Sequence, residues 1–111
     1  MNSQEKYVDV ASLAQLSSGD TLKVTLAHGD ILLANVDGKI YAVDDLCTHE
    51  DSSLSLGCLK GDLISCTLHG SRFSVRSGQP IEEPATEPLR RYPVRITGDR
   101  IEVCPESIQD P

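Results

Sequence analysis

The sequence predicts an all-β fold, a sandwich or partial barrel of about eight to ten short strands, and three observations carry that reading. Apolar residues recur with period two along most of the chain. Turn signals built on Gly and Asp separate these runs. A helical period is missing almost everywhere; only Ala11 to Leu16 could form a short helix.

Each run reads as a half-buried strand. Leu22, Val24 and Leu26 alternate with Thr21, Lys23 and Thr25. Ile40 and Ala42 alternate with Tyr41 and Val43. Phe73 and Val75 sit among Arg72, Ser74 and Arg76. Tyr92, Val94 and Ile96 alternate with Pro93, Arg95 and Thr97, and Ile101 and Val103 flank Glu102. Ile31 to Val36 is a nearly continuous apolar run, the pattern of a strand buried on both faces. The turn signals are His28-Gly29-Asp30, Asp37-Gly38 and Gly98-Asp99. Asp37-Gly38 between two apolar runs is a strong hairpin signal. Two stretches break the pattern, Asp44 to Gly61 and Ser77 to Pro88, the second with Pro80, Pro84 and Pro88. Loops on a rigid scaffold are where sites are built.

Composition narrows the function. A chain of 111 residues suits one domain, and 39% hydrophobic residues allow a modest core with few aromatics: Tyr7, Tyr41, Phe73 and Tyr92. So small a chain benefits from a staple such as a bound metal. A net charge of −7 argues against nucleic acid as partner. It suits docking on basic surfaces, or simply solubility. No run approaches the roughly 20 apolar residues of a membrane span. Residues Met1 to Val10 show no basic and apolar leader and no twin arginine. The expectation is therefore a cytoplasmic protein without a membrane partner. Four cysteines allow two disulfides, but in a reducing cytosol metal ligation is the first choice.

The first irregular stretch contains Cys47-Thr48-His49, and sixteen residues separate it from Cys66-Thr67-Leu68-His69. Two Cys and two His make a full ligand set for a metal. Zinc fingers group Cys with Cys and His with His, so a C-x-H pair followed by a C-x2-H pair fits zinc poorly. It fits a cluster with two chemically different irons, one taking both thiolates and the other both imidazoles. Each loop then supplies one ligand to each iron.

Cys47-Thr48-His49 and Cys66-Thr67-Leu68-His69-Gly70 resemble the two cluster-binding loops of the Rieske family, and the resemblance extends from about Ile31 to Val103. It implies one domain over 1–111, a β base into which a cluster-binding subdomain of about 46–84 is inserted. It implies a single [2Fe–2S] cluster, with Cys47 and Cys66 on the buried iron and His49 and His69 on the outer one. Neutral imidazoles in place of thiolates make the cluster easier to reduce.

Two departures narrow the resemblance. High-potential Rieske proteins of respiratory complexes carry an extra cysteine in each loop, joined as a disulfide. Asp51 or its neighbours and Leu68 stand there instead. Those proteins also set a Tyr hydroxyl near a ligand sulfur, where this chain has Phe73. Ser71 stands where they have a Ser that hydrogen-bonds a bridging sulfide. Asp44, Asp45, Glu50 and Asp51 bracket the first loop, and anions oppose the arrival of an electron. The chain thus looks like the ferredoxin component of a bacterial aromatic-ring dioxygenase. That resemblance implies an electron carrier and no catalysis by the chain itself. The electrons would pass from an NADH-dependent flavoprotein reductase to a terminal oxygenase. Two alternatives are the small subunit of an assimilatory reductase such as nitrite reductase, which often lacks the four ligands, and a zinc-stabilised interaction module.

The remaining candidates have plain readings. Cys58 and Cys104 read as small, partly buried hydrophobes. His28 reads as a solvated turn residue. Pro84 belongs either to the family's proline loop or to an ordinary one. Gly57, Gly61, Gly70 and Gly78 read as turn glycines. Arg90, Arg91, Arg95 and Arg100 read as a solvated strand face. The lack of a disulfide, the lack of a donor at Phe73 and the nearby acids together predict a reduction potential near the low end of the Rieske range, about −150 mV. Voltammetry checks this, and a value above about +100 mV contradicts it.

Overall fold

The computed structural model describes residues 7–27, 29–46, 53–65, 72–82 and 88–105. Eleven strands form among the described residues: β1 Val8–Ser12, β2 Thr21–Leu26, β3 Gly29–Val36, β4 Lys39–Asp44, β5 Leu59–Lys60, β6 Leu63–Ser65, β7 Arg72–Ser74, β8 Pro80–Glu82, β9 Arg91–Tyr92, β10 Val94–Thr97 and β11 Arg100–Val103. They build three antiparallel sheets, ordered β1-β11-β10, β2-β3-β4-β9 and β5-β6-β7-β8. Among the described residues no sheet closes on itself, so the architecture is layered sheets and not a barrel.

The middle layer is β2-β3-β4-β9, and its strands β3 and β4 are apolar on both sides. Side chains alternate across a strand, so odd and even positions enter different cores. Ile31 and Leu33, with Ile40 and Ala42 from β4, meet Ala11, Leu16, Tyr92, Ile101 and Val103. Leu32, Ala34 and Val36, with Val43 and the partly buried Tyr41, meet Leu54, Ile64, Phe73, Val75 and Leu89. The expectation of a two-faced strand at Ile31–Val36 thus holds, for all six residues are buried. Each fully buried Leu, Ile or Phe contributes about 1.5–3 kcal/mol of transfer free energy.

The hairpin β3–β4 turns at Asp37-Gly38, as expected. Both residues have positive φ, 54° and 91°, as a two-residue turn matched to strand twist requires. Buried Asn35 fixes its position: its Oδ1 accepts from the Gly38 N–H at 2.7 Å, and its Nδ2 donates to the Leu16 carbonyl at 2.9 Å. Gly98-Asp99 likewise connects β10 to β11, with Thr97 opposite Arg100.

Several expectations need correction. Ala11–Leu16 is not an α-helix. Ala11 and Ser12 end β1, and only Leu13–Gln15 makes a single 3₁₀ turn. The segment is too short to nucleate a helix, and Leu13 N–H bonds the Asp99 carbonyl at 2.8 Å instead. Strands outnumber the expected eight to ten because β5 and β9, two residues each, are too short to show a period. Ser77–Pro88 contains β8, and Asp44–Gly61 contains a 3₁₀ turn at Leu54–Leu56 and the whole of β5. Cys104 is buried, but Cys58 is exposed.

Neither is the arginine face simply solvated. Arg90 pairs with Asp44 at 2.9 Å, Arg95 with Glu102 at 2.8 Å and Arg100 with Asp9 at 2.8 Å. Arg95 also lies over the Tyr7 ring at 4.3 Å, and Arg91 donates to the Arg76 carbonyl at 3.4 Å. His28 lies outside the described residues.

Leu54 and Leu56 share one turn, yet Leu54 is fully buried and Leu56 is 74% exposed. Leu54→Ala should lower stability by about 2–5 kcal/mol. Leu56→Ala should stay within about 0.5 kcal/mol of wild type. Urea unfolding of the two variants checks this, and equal midpoints would show that the turn is not anchored through Leu54.

Candidate metal centre

The candidate ligands Cys47, His49, Cys66 and His69 lie outside the described residues, as do Ser71, Pro84, Glu50, Asp51, Leu68 and Gly70. What the structure describes is the frame from which their loops leave. Leu46 and Ser53 form an antiparallel bridge, so residues 47–52 are enclosed between paired neighbours. Ser65 at the end of β6 pairs with Arg72 at the start of β7, which encloses 66–71. Arg72 in turn pairs with Glu82 at the end of β8, from which 83–87 leaves. The second and third loops therefore start from adjacent strand ends.

The segment that follows the first loop is pressed against the strand that precedes the second. A Cβ on Gly57 would stand 1.8 Å from the Ser65 carbonyl oxygen, so no side chain fits between the two segments. The Ser65 N–H donates to the Cys58 carbonyl at 3.0 Å. Gly57, with φ −91°, closes the Leu54–Leu56 turn through its N–H to the Leu54 carbonyl at 2.9 Å, as a turn glycine should, and is also a close-approach glycine, which the sequence did not show. Its position between a polar stretch and β5 gave no cue, because the partner strand is close in space only.

Two neighbouring acids tie the loop ends down. Asp44 holds the end of β4 to the chain that follows the third loop. Its N–H bonds the Arg90 carbonyl at 3.0 Å, and its carboxylate accepts from Arg90 Nε at 2.9 Å and from the Tyr92 hydroxyl. Burial, and then the hydrogen bond to Asp44, hold the Tyr92 phenol above its ordinary range, so it stays protonated and donates. The same carboxylate raises the Arg90 guanidinium further. Asp45 is buried, and its carboxylate accepts from Ser53 Oγ and from the Ser55 N–H at 2.9 Å. Both acids are thus engaged in contacts within the fold, which their place in the sequence did not show.

The frame fits a cluster that takes one thiolate and one imidazole from each of two loops. Such a group needs two loops whose ends are neighbours, and Gly57 against Ser65 supplies that. Among the described residues no other group of three or more His, Cys, Asp or Glu could hold a metal. Phe73, where a Tyr would place a hydroxyl, is fully buried opposite Ile64. Leu46, Leu56 and Ile81 are exposed on the segments that carry the loops, a feature sequence reasoning missed because each stands alone among polar neighbours.

Gly57→Ala should force the two loop-bearing segments apart, costing about 1–3 kcal/mol as an overpacked site does. Iron content should fall with it. The check is iron per chain and thermal unfolding, set against Gly61→Ala, where nothing lies within 4 Å of the new Cβ but φ is +61°. If iron is retained fully in Gly57→Ala, the close approach does not govern the site.

Residues 6–93 match the family model of the Rieske [2Fe–2S] domain. The chain is 41% identical over 97 residues to the ferredoxin component of the naphthalene 1,2-dioxygenase system of Pseudomonas aeruginosa, covering 87% of this chain and 93% of that one. Its fold is similar to the ferredoxin of carbazole 1,9a-dioxygenase from Nocardioides aromaticivorans IC177, with a TM-score of 0.87 and 32% identity over 91% of this chain and 99% of that one. It also superposes on a chain of the complex of reduced oxygenase and oxidised ferredoxin in carbazole 1,9a-dioxygenase, with a TM-score of 0.90 and 30% identity over 95% of this chain and 98% of that one. These likenesses settle the family: the chain belongs to the Rieske [2Fe–2S] domain proteins.

Proposed function

We propose that this chain is the ferredoxin component of a multicomponent aromatic-ring dioxygenase system, taking single electrons from a flavoprotein reductase and delivering them to a terminal oxygenase. The observation that carries this reading is the 41% identity to such a component over 87% of the chain. The chain carries one [2Fe–2S] cluster, as its family does. When bound, that group gains and loses one electron at a time at a potential raised by its two imidazole ligands. Cys47 and Cys66 would hold one iron and His49 and His69 the other. The residues of the frame keep the two loop bases in place in both redox states, and the chain needs no nucleophile or open metal position of its own.

The chain is read as one domain over 1–111, with 46–84 as the cluster-binding subdomain. In support, β5 to β8 form a sheet of their own, joined to the middle layer through Leu54, Ile64, Phe73 and Val75. The cytoplasm is the compartment we propose, where thiolate ligands stay reduced. Among the described residues no helix is long and apolar enough to cross a membrane. Docking uses the loop end. Exposed Leu46, Leu56 and Ile81 offer apolar contact there. With Asp44 and Asp45 engaged, Glu50 and Asp51 are the acids left to steer a basic partner surface.

The test is reconstitution. The purified chain should contain two irons and two labile sulfides and turn red-brown. After reduction it should show the low average g of mixed His/Cys ligation in electron paramagnetic resonance. With NADH, a flavoprotein reductase and a Rieske oxygenase, it should restore product formation that the other two lack without it. Stoichiometric zinc without iron, in protein made with ample iron, would overturn the reading in favour of a zinc module.

A further inference from the structure

Asp45 makes more contacts across the first loop than its position in sequence suggests. It is 3% exposed, and it bonds each of the three residues that end the loop. Its carboxylate accepts from Ser53 Oγ and, at 2.9 Å, from the Ser55 N–H; its own carbonyl accepts from the Leu54 N–H at 2.7 Å. Its N–H reaches the Asp30 carbonyl of β3 at 3.3 Å. Ser53 Oγ and Ser55 Oγ lie 2.7 Å apart, and with the Ser53 hydroxyl donated to Asp45 it is Ser55 Oγ that donates to Ser53. Ser53 is also the bridge partner of Leu46. The start of the loop, the segment after it and the middle sheet thus converge on one residue, through its side chain and its backbone, two residues before Cys47.

We propose that Asp45 is the positioning residue of the first cluster loop: its buried carboxylate ties the start of the loop to the residues that follow it, and its charge stands two residues from Cys47 along the chain. A loop closed only for shape does not need a charge. Asparagine fills the same volume: its Oδ1 accepts from the Ser55 N–H, and its Nδ2 donates to Ser53 Oγ, whose hydroxyl then turns to Ser55. Burying an anion that a hydroxyl and an amide meet, among the described partners, costs more than burying the amide would. The extra effect of the charge falls on its neighbour, because an anion close to the cluster disfavours the arriving electron.

This inference rests on the cluster reading above. The test uses the full-length, cluster-loaded chain as wild type, Asp45→Asn, Asp45→Ala and Ser53→Ala. The readouts are the rate of iron loss to a chelator, the g values and the potential by voltammetry. Asp45→Ala should lose iron roughly 10–100-fold faster than wild type, the usual effect of removing a partner that orients ligands. Ser53→Ala should be faster in the same direction by a smaller factor. Asp45→Asn should keep the wild-type g values and lose iron within about twofold of wild type, with a potential shifted upward, since the contacts remain and the charge is gone. An Asp45→Asn potential equal to that of wild type overturns the proposal. So does wild-type iron retention in Asp45→Ala, or in Ser53→Ala should Asp45→Ala not fold. Either result leaves the functional reading standing, whereas a wild-type chain without iron overturns both.

Discussion

The fold depends on one sheet that is buried from both sides. Ile31 to Val36 are six consecutive buried residues, and their side chains divide by parity between two cores. A slip of one residue in the β3–β4 register would send the side chains of the shifted strand into the opposite core. Asp37 and Gly38, both at positive φ, and the two hydrogen bonds of Asn35 hold that register at the one turn that sets it. The strictness is economical for a small chain, because one hairpin serves both layers. The outer sheets are small, and each is stable only against this shared surface.

The position of the site follows from the second core. Leu54, Ile64, Phe73 and Val75 enter it from the segments on which the loops stand, so packing brings the loop bases together. The loops themselves, 47–52 and 66–71, are too polar to close by burying apolar surface. Ordering a residue costs about 1–2 kcal/mol of backbone entropy, which polar side chains do not offset by desolvation. Closure therefore falls to hydrogen bonds at the bases and to metal ligation, which couples to folding. Asp44, Asp45, Ser53 and Ser55 supply the first, and the Cys/His pairs would supply the second.

How much of this was legible in the sequence depends on distance along the chain. Features set by neighbours were readable. The period-two runs, save for the exposed Ile96 and for Val75 beyond the end of β7, the Asp37-Gly38 turn and the continuous Ile31–Val36 run describe what the structure contains, and the C-x-H and C-x2-H spacings pointed to the family. Features set by distant partners were not. Gly57 reads as no more than a turn glycine until Ser65 is placed against it. Asp44 and Asp45 read as loop charges until Arg90, Tyr92 and Ser53 are placed beside them. Leu54 and Leu56 are identical in type and two residues apart, yet one anchors a core and the other faces water, because a 3₁₀ turn points them in different directions. The two-residue strands β5 and β9 lie below the length at which alternation carries information.

The engaged acids change what kind of encounter the loop end can support. A carrier that visits two partners must find each quickly and leave it quickly. Long-range attraction helps the first, and a small contact with few strong anchors helps the second. Asp44 is largely neutralised by Arg90, and Asp45 is buried, so neither projects much field beyond the surface. The net charge of −7 still gives a diffuse attraction to basic surfaces, screened over about 8 Å at physiological salt. The exposed apolar residues described at this end, Leu46, Leu56 and Ile81, each offer only the area of one aliphatic side chain. Such contacts are too few for a long-lived complex. They suffice to orient a brief one, so Asp44 and Asp45 serve mainly to hold the frame still while the electron moves, and recognition is left to shape, to Glu50 and Asp51 and to the charge of the chain as a whole.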